Sequence, residues 1–547
     1  RNSSKKAGIK NLSRTLGDSR AQPMVMVERD KDTSDGGKCG ELTSNPRDID
    51  AVVKRAWQAI HNGMHGCINT AVEAFLGKYL RYLCIAPTEE LPRLTGKRVY
   101  DALTNTQESA GAMDGWSPKE LRYLSPDVCD VVAEMLHQIE QGEMWPKSSL
   151  HARVGFLEKD GAQVGKVTSY RPLTITSPLY RAWASMRLED MKDWVDSWAV
   201  EEMYAGIPGK GAVDAWHLAL TRIEEHKLEG EDFAGAVADI MKFFDQIRRR
   251  LVYKVAEAAG MPPNILKAYQ AYIENMKVYN CLAGGMGTPY MRRCGIPQGC
   301  PFSMMFVALI MRPWIVLMRC IPGIQVYILA DDVLIVATGK RMIRSVAEAI
   351  DKTHAYLQSM GAKVAPDKSY NFASTQEGRK WLDETWWEGI QAKIQVVQDF
   401  RYLGAHLTAG NSCTSSTLEK RWQKAHRQLK KLKYAPASPE AKVNAIHAKV
   451  YASAMYGIEA AAVAPAKIAA LAVSIIDVFR SKNDCHNADR FFTTLTIDKD
   501  DVDPVVEILA RRVLQVRRTA CKKKGMGDKF KNIPVSYTHL RAHETDS

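Results

Sequence analysis

Gln325-Val-Tyr-Ile-Leu-Ala-Asp-Asp-Val-Leu-Ile-Val-Ala337 restricts the fold of this chain more than any other stretch. Two apolar runs rich in β-branched residues flank Asp331-Asp332, which predicts a buried hairpin with the two aspartates at its turn. Adjacent carboxylates with no lysine or arginine beside them are costly to bury, because each needs a partner or a cation. A divalent metal would satisfy both; so would a turn that simply faces water. The rest of the chain has to decide between these.

Gly235-Ala-Val-Ala-Asp-Ile240 reads as a strand entering a helix whose apolar side holds Ile247, Leu251 and Val255, closed by Gly260 and Pro262-Pro263. A hairpin around 284–287 leads to Arg293-Cys-Gly-Ile-Pro-Gln-Gly-Cys-Pro-Phe-Ser303, where Pro301 suits the first turn of a buried helix. Val346, Ile350, Leu357 and Met360 mark another helix, ended by Gly361. Strands alternating with helices over 235–370 predict an α/β or α+β sheet domain. Residues 154–188 read as short extended segments broken by Gly and Pro, whereas helical spacing dominates 48–83, 95–103 and 118–141. Residues 1–47 are polar and without periodicity, so disorder is expected there.

Charge narrows the partner. The formal net charge of +13 favours a polyanion, nucleic acid above all, through counterion release. Leu418, Trp422, Ala425, Leu429 and Leu432 form one apolar stripe, while Lys420, Arg421, Lys424, Arg427, Lys430, Lys431 and Lys433 cover the remainder. Such a helix can pack on one side and follow a phosphate backbone with the other; a solvated charged face is the plainer alternative. Alanine-rich helices are expected over 438–480, and residues 511–531 are strongly basic. The 11 cysteines show no CxxC, and Cys485-His486 lacks companions, which excludes a zinc cage by spacing and points to a reducing, intracellular setting. The longest apolar run, Phe302 to Met318, is cut by Arg312-Pro313, so no membrane partner is expected. Arg1 is not an initiator methionine, so the start is expected to lie upstream. The last residues, 536–547, resemble a translated adapter tail and are left out of the fold.

Taken in order, these pieces resemble the motif series of reverse transcriptases, and most closely those of non-LTR retrotransposons. Residues 110–115 resemble the Gly-x-Asp-Gly turn upstream of the fingers, and Tyr170-Arg-Pro172 the YRP element. Ala238-Asp-Ile240 through Phe244-Asp245 resemble the first palm motif, 295–303 the PQG motif, and Ala330-Asp-Asp332 the xDD motif. Asp367-Lys368 and Arg401-Tyr-Leu-Gly404 resemble the last two palm motifs, the latter the primer grip, and Tyr456-Gly457-Ile-Glu459 a segment after the palm. There are departures: Leu329 replaces a usual aromatic, and Ala112-Met113 stand where Gly and Pro are common. The resemblance implies an α+β, right-hand polymerase with fingers, palm (antiparallel sheet plus helices) and helical thumb. Its boundaries would be a helical extension at 48–93, fingers at 94–234, palm at 235–407, thumb at 408–500 and a basic segment at 501–535.

It also implies RNA-directed DNA polymerisation, with an RNA template, a DNA primer or target and dNTP as partners, in an intracellular ribonucleoprotein of nucleus or cytoplasm. Joining a nucleotide to a 3′ hydroxyl is an in-line phosphoryl transfer assisted by two Mg²⁺, or Mn²⁺, with two to three aspartates sufficing for the pair. Asp239, Asp331 and Asp332 would be the catalytic, metal-holding carboxylates. Neighbours on a strand point to opposite faces, so Asp331 should be the firmer ligand. Phe244 would crowd the sugar 2′ position and exclude ribonucleotides; the alternative is a core phenylalanine. Asp245 would bond nearby backbone. Gln298 offers an amide to the nucleotide, and Gly299 lets the backbone approach it, unless the segment is only a turn before the helix. Arg171, with either Lys159 or Lys166, would grip the triphosphate. Lys368 would protonate departing pyrophosphate or be a surface lysine. Two alternatives stand beside this: an RNA-directed RNA polymerase, and a catalytically silent RNA-binding or maturation scaffold. No endonuclease cluster, zinc knuckle or RNase H domain is visible in the sequence.

Overall fold

The computed structural model describes residues 16, 24–33, 36–62, 68–88, 90–159, 163, 165–282, 285–410, 415–461, 463–480, 488–494 and 502–522. Cys485-His486, the adapter-like 536–547, most of the basic run after 522 and all of 1–23 except Leu16 lie outside the described residues.

In chain order the strands are β1 (Val27–Glu28), β2 (Leu42–Thr43), β3 (His151–Glu158), β4 (Tyr170–Ile175), β5 (Phe233–Asp239), β6 (Lys277–Leu282), β7 (Gly285–Met286), β8 (Ile324–Leu329), β9 (Asp332–Thr338), β10 (Tyr370–Ala373), β11 (Gln395–Val396), β12 (Asp399–Tyr402) and β13 (Ala405–Thr408). Five of them make the central sheet in the order β11-β10-β5-β9-β8. β5 runs antiparallel to both β9 and β10, and β8–β9 is the expected hairpin, with Leu329 opposite Asp332. β5 is apolar on both faces because both are covered. Phe233 and Val237 pack with Trp216 and Ile223 of the Ala212–Glu229 helix, and Ala234 and Ala236 with Val346 and Ile350 of the Met342–Met360 helix. Nearer the site, Val333 and Ile335 join the largest core around the helix Ser303–Arg319.

A second sheet, β4-β3-β6-β7, stands beside the first. Three sequence expectations need correction around it. Within 154–188, Pro178–Asp190 is helical, because Tyr180, Trp183 and Ala184 are buried and Arg187 pairs bidentately with buried Glu140 at 2.7 and 2.6 Å. An unforeseen helix, Pro263–Asn275, starts at the prolines read as a terminator. Residues 24–43 carry a short hairpin, β1–β2, rather than disorder: Val27 is 0% exposed and bridges to Gly165. Pro301 falls in the turn before its helix, which opens at Ser303.

The helix Ser416–Lys433 buries Leu418, Trp422, Ala425, Leu429 and Leu432, the stripe expected, against Leu471 and Ile475 of the Pro465–Phe479 helix. Lys420, Arg427, Lys430 and Lys431 are exposed on it. The helix Pro504–Lys522 returns to the central domain. Arg518 clasps Asp214 at 2.7 and 2.8 Å, Lys522 reaches the same carboxylate at 3.1 Å, and Thr519 meets His217 at 2.9 Å. Among the described residues no helix is long and apolar enough to cross a membrane.

Candidate active site

The two strands that carry the aspartates are neighbours, and their register sets the site. Asp239 ends β5 directly opposite Asp332, which begins β9, while Asp331 lies in the two-residue turn with Ala330 at φ 58°. Three carboxylates thus gather at one end of the sheet. Opposed residues of an antiparallel pair stand about 5 Å apart at Cβ. The end of β5 is fixed by its backbone: Asp239 N donates to Ser369 Oγ at 3.1 Å and its carbonyl accepts from Ala365 N at 2.8 Å.

The carboxylates strain against one another. Burial pushes the Asp239 carboxyl above the usual range, opposed by Lys368 and Lys159. Asp331 is raised by burial, with Asp239 adding to it. Asp332 is pushed up to about 7 by burial, then by Asp331 and Asp239, against Arg401 and Arg171. Those cations act at a distance, for none hydrogen-bonds to the three. A cluster of this kind has unmet demand for positive charge.

Asp239 and Asp331 open onto a cleft of about 330 Å³. Asp332 does not line it. Phe244, half-buried on the one-turn helix Phe243–Gln246, forms part of the wall, as does Gln298. Arg171, Lys368 and Lys159 supply positive charge there; Lys166 is exposed and does not line the cleft, so of the two lysines weighed it is Lys159 that the fold brings in. Gly299 has φ 114°, and a Cβ on it would lie 2.6 Å from Thr174 O. Its close approach is therefore to β4, where Thr174 N also donates to Gln298 O at 2.8 Å. Tyr402 OH donates to Tyr327 O at 3.0 Å, tying the 401–404 segment beneath the hairpin.

Lys242 also lines the cleft and went unread in the sequence. It adopts φ 45°, donates to Thr168 O at 2.6 Å and lies 4.7 Å over the Trp57 ring. Burial and the nearby Lys159 push its ammonium down to about 7. No sequence signal marks it: its left-handed backbone three residues after Asp239, a sign of stored strain, exists only in the fold. A separate group, His226, Glu229 and Glu231, lies near the start of β5, away from the cleft.

Comparison with known proteins bears on the stretch that holds this cleft. Residues 157–407, spanning from the end of β3 to β13, match the family model of reverse transcriptase (RNA-dependent DNA polymerase). Among solved structures, apo telomerase from Candida tropicalis truncated from the C-terminal domain is similar at 11% identity and a TM-score of 0.35, over 52% of this chain and 59% of that one. The matched span holds Asp239, Phe244, Gln298, Asp331, Asp332 and Lys368, and within an α+β polymerase fold residues 157–407 of this chain are a reverse transcriptase domain.

Proposed function

We propose that the chain is an RNA-directed DNA polymerase of non-LTR retrotransposon type, copying an RNA template from a primer 3′ end by two-metal phosphoryl transfer. The observation that carries this is the register of β5 and β9, which collects Asp239, Asp331 and Asp332 with no cationic side chain bonded to them among the described residues. An all-oxygen set of carboxylates raised by burial, with mutual repulsion adding to it at Asp331 and Asp332, fits Mg²⁺ or Mn²⁺. When bound, such ions polarise the phosphoryl oxygens and neutralise charge on the attacking and leaving groups. Asp239 and Asp331 would hold them, with Asp332 supporting from its place opposite Asp239 on the neighbouring strand.

The remaining residues bind and orient. Arg171, Lys159 and Lys368 face the triphosphate, with Lys368 the nearest candidate to protonate pyrophosphate. Phe244 fills the space a 2′ hydroxyl would need, favouring dNTP. Residues 94–234 act as fingers, 235–407 as palm and 408–500 as thumb, the exposed lysines and arginine of the Ser416–Lys433 helix running along the template–primer backbone. The deciding experiment is extension of a primed RNA template with dNTP or rNTP, beside Asp331→Asn. Extension with dNTP that falls about a thousand-fold in the variant, equivalent to about 4 kcal/mol, is expected. Preference for rNTP would make it an RNA polymerase; equal weak signal from parent and variant would leave a scaffold.

A further inference from the structure

Gln298 is held by more than its backbone. Its Nε2 donates to Asp245 Oδ2 at 2.9 Å, and Asp245, 3% exposed, has its other oxygen 3.4 Å from His61 Nε2. A carboxylate only accepts, so the amide must turn its NH₂ toward Asp245, which leaves the carbonyl Oε1 for the cleft. The same logic puts the proton of His61 on Nε2. Burial, then Arg292, pushes that imidazole down to about 4, so His61 is a neutral donor near pH 7.

His61 comes from far away in the chain. It ends the N-terminal helix Pro46–His61, and its carbonyl accepts from Cys294 N at 3.0 Å and Cys294 Sγ at 2.9 Å, in the loop that leads to Gln298. One turn earlier Trp57 stacks on His61 at 5.5 Å and carries Lys242 over its ring. The helix thus lies against the one-turn segment of Phe244 and Asp245, and also against the loop of Gln298.

We propose that Asp245, braced by His61 of the N-terminal helix, is a positioning residue that fixes the Gln298 amide with its carbonyl oxygen toward the incoming nucleotide. This rests on reading the cleft as the nucleotide site. Gln298 then accepts a hydrogen bond from a hydroxyl or amino group of the nucleotide through Oε1, one of its two N–H groups being committed to Asp245. An Asn at position 245 can present either end of its amide, so Gln298 is no longer held with Oε1 toward the cleft and its bond to the nucleotide is weakened. A purely structural Asp245 would act otherwise: losing its side-chain contact with His61 would harm the fold whether or not Gln298 is present.

The test is a double-mutant cycle on the full chain, with Asp245→Asn, Gln298→Ala and the pair, read by steady-state dNTP incorporation and by melting temperature. Asp245→Asn should raise KM for dNTP about five- to tenfold, with the loss falling on KM rather than kcat, and the double variant should be no worse than Gln298→Ala alone. If Asp245→Asn does not fold, His61→Phe with Gln298→Ala forms the same cycle. Effects that multiply in the cycle while the parent polymerises would overturn the positioning role and leave the nucleotide-site reading standing. A parent that incorporates no nucleotide overturns both.

Discussion

Asp332 has the most displaced carboxyl of the cluster, and its behaviour with pH can be worked out. Its value is about 3.8 in the unfolded chain and about 7 when folded. The folded state therefore binds more protons between those limits, and stability present below about pH 3.8 is lost as pH rises through 7. In metal-free protein the melting temperature of Asp332→Asn should equal that of the parent near pH 4 and exceed it increasingly up to pH 8. Adding Mg²⁺ should narrow the gap, because the parent, with all three carboxylates, gains more ligand-linked stability than the variant. A constant offset across this range would show that Asp332 titrates normally. Such residues were legible in the sequence because an Asp pair between apolar runs has few structural excuses. His61 and Lys242 were not, for opposite reasons. His61 finds Asp245 184 positions away, and no local pattern announces that. Lys242 owes its role to φ 45°, a property of the folded backbone.

Elements with a strong period were readable, and those stabilised from outside were not. The stripe from Leu418 to Leu432 predicted its helix and its buried face, since one surface had to find a partner. Pro178–Asp190 defeated the same reasoning because apolar and polar groups are buried on several sides, Arg187 among them. β1 and β2 have two residues each and rest on a bridge to Gly165, a partner no short-range signal names. The exposed face of the Ser416–Lys433 helix gives a measurable expectation. Replacing Lys420, Arg427 and Lys430 with serine should weaken binding to an RNA–DNA duplex and flatten the plot of log affinity against log salt by about 2 to 3, close to one for each phosphate that is no longer neutralised. Fluorescence anisotropy across a salt series measures this, and an unchanged slope would mean the face is merely solvated.

At the scale of the whole molecule, distant segments meet on the central domain from both ends of the chain. At the far end, burial raises the Asp214 carboxyl, but Arg518 and Lys522 outweigh it and hold the group below its ordinary range. Arg518 is about half exposed, so each such pair contributes no more than about 1 kcal/mol. Arg518→Ala with Lys522→Ala should accordingly leave the global melt nearly unchanged while amides of 504–522 exchange faster than those of β5; uniform acceleration would mean that the helix unfolds with the core. At the near end, Asp50 accepts from Asn280 Nδ2 at 2.9 Å and from Thr288 N at 3.0 Å, the latter 238 residues downstream. A ribosome adding 5–20 residues per second takes roughly 10–50 s to cover that distance. For that interval the helix Pro46–His61 emerges with its apolar side and Asp50 both waiting for partners not yet made, so it settles long after it is synthesised, and a nascent-chain chaperone has that long to find it.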